Sequence, residues 1–161
     1  MNINQVAADL EMIGCTVRNL SITNDLISIR DDDELHLDLD IIPAYEGIVE
    51  QEHRGRVILN LYIDAERKDK TNQKVEISVT FEALFRSTGS MEQKAFLELL
   101  IINGATALYS IARGKMEAIS ASVFLDGKIV LPFVNIIQFY HEKHKDSNSH
   151  EDMIIEKSAD D

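Results

Sequence analysis

Three stretches of this chain alternate apolar and polar residues with a period of two. Leu35, Leu37, Leu39 and Ile41 alternate with His36, Asp38 and Asp40. Val57, Leu59, Leu61 and Ile63 alternate with Ile58, Asn60, Tyr62 and Asp64, and Val75, Ile77, Val79, Phe81, Ala83 and Phe85 with Glu76, Ser78, Thr80 and Glu82. Successive side chains of a strand point to opposite faces, so each stretch predicts a strand with one dry face. The last two are joined by the polar run 66–73 (ERKDKTNQ), a hairpin loop, and short polar connections argue an antiparallel meander. The first of the three is expected to end at Ile42-Pro43-Ala44-Tyr45-Glu46-Gly47, because proline cannot continue a ladder and glycine permits a turn. Before it, Asp31-Asp32-Asp33-Glu34 reads as a solvated turn. Residues 15–29 are strand-like but irregular, with an interruption at Asn24-Asp25. Ile3, Val6, Ala7 and Leu10 recur at helical spacing and predict a short N-terminal helix ending near Met12.

Beyond Ser87 the period changes. Ser90 followed by Gln93 resembles a capping box at a helix start. The helix that follows is apolar on most sides: Phe96, Leu97, Leu99, Leu100, Ile101 and Ile102 leave only Glu98 polar. A surface helix shows a single apolar stripe. Asn103-Gly104 is expected to break or kink it, Gly114 is a second weak point, and the apolar segment before that point falls short of the roughly 20 residues needed to span a bilayer. Its cover is then a sheet on one side and a second copy of the chain on the other. Asp126-Gly127 marks a turn and Leu131-Pro132 an extended stop, with a final short helix carrying Val134, Ile136, Ile137 and Tyr140. Helices that follow strands make the class α+β, a sheet with C-terminal helices packed on one face. We expect a single domain over residues 1–145 and an acidic disordered tail over 146–161.

Composition narrows the function. A length of 161 residues is ordinary for one domain, and 45% hydrophobic residues suffice for a core. The net charge of −12 repels phosphate backbones, making nucleic acid a poor partner, and attracts cationic protein segments. The single Cys15 has no partner for an internal disulfide, which fits a reducing compartment, and the N-terminal residues lack a signal-peptide pattern. A cytoplasmic location is expected, without membrane insertion. No glycine loop suits a phosphate. His141 and His144, with Glu142 between and His150 near, lack zincin spacing, and Cys15 has no positioned histidine. Asp38 and Asp40 share one strand face, as solvent-facing alternation does. No catalytic residue, metal or cofactor is indicated. What remains is apolar surface. Ile42, Tyr45, Ile58, Tyr62, Leu84, Phe133 and Tyr140 are the candidates for a groove that accepts extended peptides.

The run NGATALYSIARGKMEAIS, followed by a short turn, LPFVN and an aromatic-containing helix, resembles the SecB family of export chaperones. Leu108-Tyr109-Ser110-Ile111-Ala112-Arg113 is similar to one family motif and Leu131-Pro132-Phe133-Val134-Asn135 to another, while Leu37-Asp38-Leu39-Asp40 resembles its strand motif. The resemblance covers about Cys15 to Tyr140. It implies a four-stranded antiparallel sheet with helices on one side, assembled as a dimer of dimers. The expected subunit interface comprises Leu100, Ala105, Leu108, Tyr109, Ala112 and Met116. The implied activity is that of an ATP-independent holdase for unfolded or pre-secretory clients. Client-binding residues by this analogy are Ile41, Ile42 and Tyr45, in a crossover after the LDLD strand, and Phe133, Ile137 and Tyr140 at the second helix. Members that hand clients to the SecA motor carry acidic residues on the outer sheet face, whereas Asn19, Thr23 and Ser78 stand there in this chain. Glu76 and Glu82 could substitute. The departure favours a relative dedicated to a partner such as the antitoxin of a toxin–antitoxin pair.

Overall fold

A computed structural model describes residues 9–67 and 73–143 of the chain. They belong to two compact units, one running to Leu131 and the other starting at Pro132. The expected acidic tail, His144, His150 and most of the expected N-terminal helix lie outside the described residues.

Four strands, β1 (Leu10–Asn24), β2 (Glu34–Val49), β3 (Glu52–Glu66) and β4 (Lys74–Ser87), form one antiparallel sheet in the order β1-β4-β3-β2. With the helix that follows, the architecture is α+β. The period-two alternation sets the faces. Val57, Leu59, Leu61 and Ile63 of β3 are buried together with Val75, Ile77, Val79, Phe81, Ala83 and Phe85 of β4. These two strands are central, and their dry residues meet the helix layer.

Two strand boundaries differ from expectation. Leu10 to Met12 belong to β1 rather than to a helix, paired with Ser87 to Phe85. β2 does not stop at Pro43 but continues to Val49. As the last strand of the sheet it has only one neighbour, and an edge strand tolerates proline where no amide is required. The bend falls between Tyr45 and Gly47, where the register shifts and Gly47 takes a φ of 110°. A two-residue turn then leads into β3, with Glu50 and Gln51 at φ of 53° and 70°.

One long helix, Gln93–Val123, crosses the inner face. Of the two outcomes expected at Asn103-Gly104, a break does not occur, and the helix is irregular there. Instead Leu100–Gly104 forms a π-helical turn between Gln93–Leu99 and Ala105–Val123. The physical reason lies in the buried row Phe96, Leu100, Gly104, Leu108, Ala112, Met116 and Ser120, spaced by four throughout. At 3.6 residues per turn such a row drifts around a regular helix by about 40° per step. A wider turn pulls it back onto the sheet. Gly104 sits at that turn because a Cβ there would lie 3.4 Å from both Phe85 and Val57. Gly55 of β3 is tighter still, with Leu100 only 2.8 Å from where its Cβ would be. The helix start also differs from the expected capping box: Glu92 is the cap residue, without a side-chain cap bond. By length and composition this 31-residue helix could cross a membrane, so the shortness expected from a break does not hold. Its buried side chains are those of the sheet-facing row together with Ala105 and Tyr109.

After the helix the chain folds back. Buried Ser120 accepts the Ile129 amide at 2.9 Å, and Arg113 donates to the Leu131 carbonyl at 2.9 Å. In the second unit residues 136–143 are helical, and the Asn135 carboxamide oxygen accepts the Gln138 amide at 3.1 Å as an N-cap.

Candidate functional site

The connection between β1 and β2, residues 25–33, carries the chain from one edge of the sheet to the other. Local polar chemistry fixes its path. Asn24 closes on Leu26 in both directions, its Oδ1 accepting the Leu26 amide and its Nδ2 donating to the Leu26 carbonyl, at 2.9 and 2.8 Å. Leu26 is thereby turned inward and buried, while Ile27 is left 70% exposed. The Ile27 carbonyl accepts the Leu125 amide at 2.8 Å, and Leu125 is 87% exposed. Buried Arg67 anchors the far end of the crossover, donating to the Ser28 carbonyl at 2.5 Å and pairing with Asp33 at 3.2 Å. Both side chains of that pair are nearly closed off from water, at 8% and 3% exposure.

β2 adjoins this crossover. On its inner face Leu35 is 45% exposed and Leu37 and Leu39 are half-buried, because an edge strand receives less cover from the helix than β3 and β4. On its outer face Ile42 stands directly opposite Ile58, and Leu84 lies one strand further and one step along. Toward the other end of that face, Asp38, Asp40, Asn60, Tyr62, Ser78 and Thr80 line a depression of about 200 Å³. The arrangement offers exposed aliphatic groups beside carboxylates on open strands. Among the described residues no cluster of three or more metal-ligating side chains exists. Burial raises the pKa of the Cys15 thiol, with the charge of Lys115 opposing, so it stands protonated at neutral pH.

The residues singled out from the sequence fall into distinct groups. Ile42, Ile58, Tyr62 and Leu84 share the outer sheet face, with Ile42, Tyr62 and Leu84 exposed and Ile58 half-buried. Ile41 is buried on the inner face. Ile41, Ile42 and Tyr45 lie within β2 and not in a crossover after it, since the crossover precedes β2. Tyr45 is held in an aromatic cluster, edge-on to Phe96 at 6.1 Å, with its hydroxyl 2.8 Å from His53 Nδ1. His53 Nε2 donates to the Met91 carbonyl at 2.9 Å, which leaves Nδ1 of the neutral ring to accept from Tyr45. In the second unit Phe133 and Ile137 are exposed and Tyr140 half-buried. Leu100, Ala105, Leu108, Tyr109, Ala112 and Met116 are all buried within a single chain. Of the other apolar side chains of the helix, Ile102 is exposed and Leu97, Leu99, Ile101, Ala107, Ile111 and Ile119 are half-buried. Glu76 and Glu82, the acidic substitutes on the outer face, are both ion-paired: Glu76 to Lys74, and Glu82 to Arg18 and Arg56.

Ile27, Leu35 and Leu125 were not singled out by pattern. Leu35 opens the alternating run and looks like a core residue there. Ile27 lies in the irregular stretch, and Leu125 precedes the Asp126-Gly127 turn, where an exposed leucine has no periodicity to betray it.

Neither a protein family nor a curated protein matches the sequence. Among solved structures the fold is similar to a SecB-like chaperone of Mycobacterium tuberculosis, in complex with a ChAD peptide from the HigA1 antitoxin. The superposition has a TM-score of 0.58 at 14% identity and covers 82% of this chain and 95% of that one. The likeness is one of fold: a four-stranded antiparallel sheet with a helix after it.

Proposed function

We propose that this chain is a SecB-like holdase, binding unfolded or pre-secretory polypeptides without ATP and keeping them from aggregating. The observation that carries the reading is the set of large aliphatic side chains left in water on the crossover and on both faces of β2. Ile27 and Leu125 on the crossover side, Leu35 on inner β2 and Ile42 on outer β2 belong to a fold that a SecB-like chaperone shares. Single exposed leucines need no explanation, but Ile27 at 70% and Leu125 at 87% exposure, joined by a backbone hydrogen bond, leave apolar surface in water together. The solved neighbour holds an antitoxin peptide, which favours a second form of the reading: a chaperone dedicated to one partner of that kind, without SecA. The ion pairing of Glu76 with Lys74 and of Glu82 with Arg18 and Arg56 supports the same form. The chain would act in the cytoplasm, where a free Cys15 is at home. The half-exposed helix side carrying Ile101, Ile102 and Ile111 would be covered by a second copy, as a dimer or tetramer.

The test is suppression of aggregation of a chemically unfolded client, without nucleotide, by stoichiometric protein. Ile27→Asp combined with Leu125→Asp is expected to weaken suppression by about tenfold, because a charge replaces each apolar contact. A protein that leaves client aggregation unchanged refutes the general holdase. If it binds one antitoxin tightly and ignores unrelated unfolded chains, the dedicated form holds.

A further inference from the structure

We propose that Asp126 is a site of spontaneous isoaspartate formation, and that this modification unhooks the crossover from the segment that follows the helix. The inference stands apart from the holdase reading. The chain has two steps in which asparagine or aspartate precedes glycine, Asn103-Gly104 and Asp126-Gly127. At either, the glycine nitrogen can attack the side-chain carbonyl carbon of the residue before it, since no Cβ hinders the approach. In an unfolded chain the asparagine step is the faster: a neutral carboxamide expels ammonia more readily than a carboxyl group, ionised at neutral pH, expels water. The fold inverts that order. Gly104 is buried within the helix at φ −63° and ψ −48°, with Leu100 3.3 Å and Phe85 and Val57 3.4 Å from where its Cβ would be. A helical amide points along the axis toward a carbonyl about one turn earlier, so ring closure at Asn103 requires the helix to unwind.

Asp126 and Gly127 are both exposed, and Gly127 takes a φ of 82°. The Gly127 amide donates to Asp126 Oδ1 at 3.0 Å, and among the described residues no backbone carbonyl accepts it. The nucleophile therefore already lies against its target, in reach of water. Gly127 N bonds to Asp126 Cγ, the hydroxyl of the protonated carboxyl leaves with the amide proton as water, and a succinimide ring closes. Another water opens the ring at the α-carbonyl. The main chain then runs through the former side chain, and the α-carbonyl has become a free carboxylate. That carbonyl is the acceptor of the Ile29 amide at 3.2 Å, next to the Leu125 amide on the Ile27 carbonyl at 2.8 Å. These bonds hold the bridge of Ser28 with Asp126. The methylene gained by the main chain finds no slack there, since a Cβ on Gly127 would lie 2.5 Å from the Ile29 carbonyl oxygen. The bridge opens.

The test ages the full chain at neutral pH and physiological temperature in heavy-oxygen water, beside the same chain unfolded in urea. Both are then digested and mapped by mass spectrometry. In the folded chain, the peptide containing Asp126 should gain heavy oxygen and isoaspartate at a rate within about threefold of the unfolded chain, whereas Asn103 should deamidate about tenfold or more slowly than it does unfolded. Asp126→Asn should speed the reaction at this step about tenfold, through its better leaving group. Asp126→Glu, whose ring would carry an extra carbon, should abolish it. In the aged fraction, hydrogen exchange should quicken about tenfold or more at the Ile29 and Leu125 amides, with β3 and β4 unchanged. Protection of Asp126 as strong as that of Asn103 overturns the proposal. So does isoaspartate that forms while exchange at those two amides stays as it was, because the bridge then survives the modification.

Discussion

The two edges of the sheet solve one problem in different ways. β1 is irregular twice, between Met12 and Gly14 and between Val17 and Asn19, and such bulges twist a strand away from being a template. Its outer face is tied to β4 by two ion pairs, the exposed Glu11–Arg86 and the part-buried Arg18–Glu82. β2 keeps a regular register to Tyr45 and carries carboxylates on its outer face, with its start fixed by the buried Arg67–Asp33 pair. A kinked edge is closed by geometry whatever approaches it. A straight edge guarded by charge is closed to like charge and open to opposite charge. The difference leaves β2, and not β1, with a regular edge that nothing pairs among the described residues.

Three perturbations break or sharpen that contrast. Arg67→Leu leaves the Asp33 carboxylate buried without its cation and should cost about 3 kcal/mol, a fall in Tm of roughly 6–12 °C for a chain of this size. Hydrogen exchange should quicken at the Ile29 and Leu125 amides, which bond across the crossover, while β1 amides keep their protection. Uniform loss of protection at both edges would erase the distinction. A smaller effect, of opposite sign, is expected at the tip of the β2–β3 hairpin. Gln51 sits at a φ of 70°, where a Cβ is strained and glycine is not. Gln51→Gly should therefore raise stability by about 0.5–1 kcal/mol, read as a higher urea midpoint at unchanged slope. An unchanged or lower midpoint would show that the turn carries no strain.

The smallest effect belongs to β1. The hydrogen bond from Arg86, and then its charge, hold the Glu11 carboxyl below its ordinary value of 4.5. A depressed carboxylate adds stability above the unfolded pKa and loses it as pH falls through the folded value. The difference between wild type and Glu11→Gln should thus be slight at neutral pH and vanish in acid. It should vanish also in about 1 M salt, because the pair is exposed. A difference that survives both would mean the β1 ion pairs do more than decorate a closed edge.

Much of the sheet was legible. The alternation at Val57–Ile63 and Val75–Phe85 placed β3 and β4 and assigned their faces, because a central strand covered on one side must alternate. The α+β class followed from the order of strands and helix. Pro43 misled, since its cost depends on whether a strand has one neighbour or two, and sequence does not show which. Asn103-Gly104 misled for a similar reason: a glycine that breaks an isolated helix is here the close-approach point against Val57 and Phe85. Leu100, Leu108 and Met116, expected at a subunit interface because the helix is apolar all round, are buried within the single chain. Only packing shows which of its sides the chain's own sheet already covers.

Residue chemistry along the chain determined which segments could be strands, which face of each was dry, and that cations rather than phosphates would be drawn to the protein. Those are local properties, set by side-chain polarity and a period of two. Which strand became an edge, where the crossover ran, and which aliphatic groups stayed in water were decided by the tertiary structure alone. Exposure belongs to neighbours brought together from distant parts of the chain, and no stretch of residues carries it by itself.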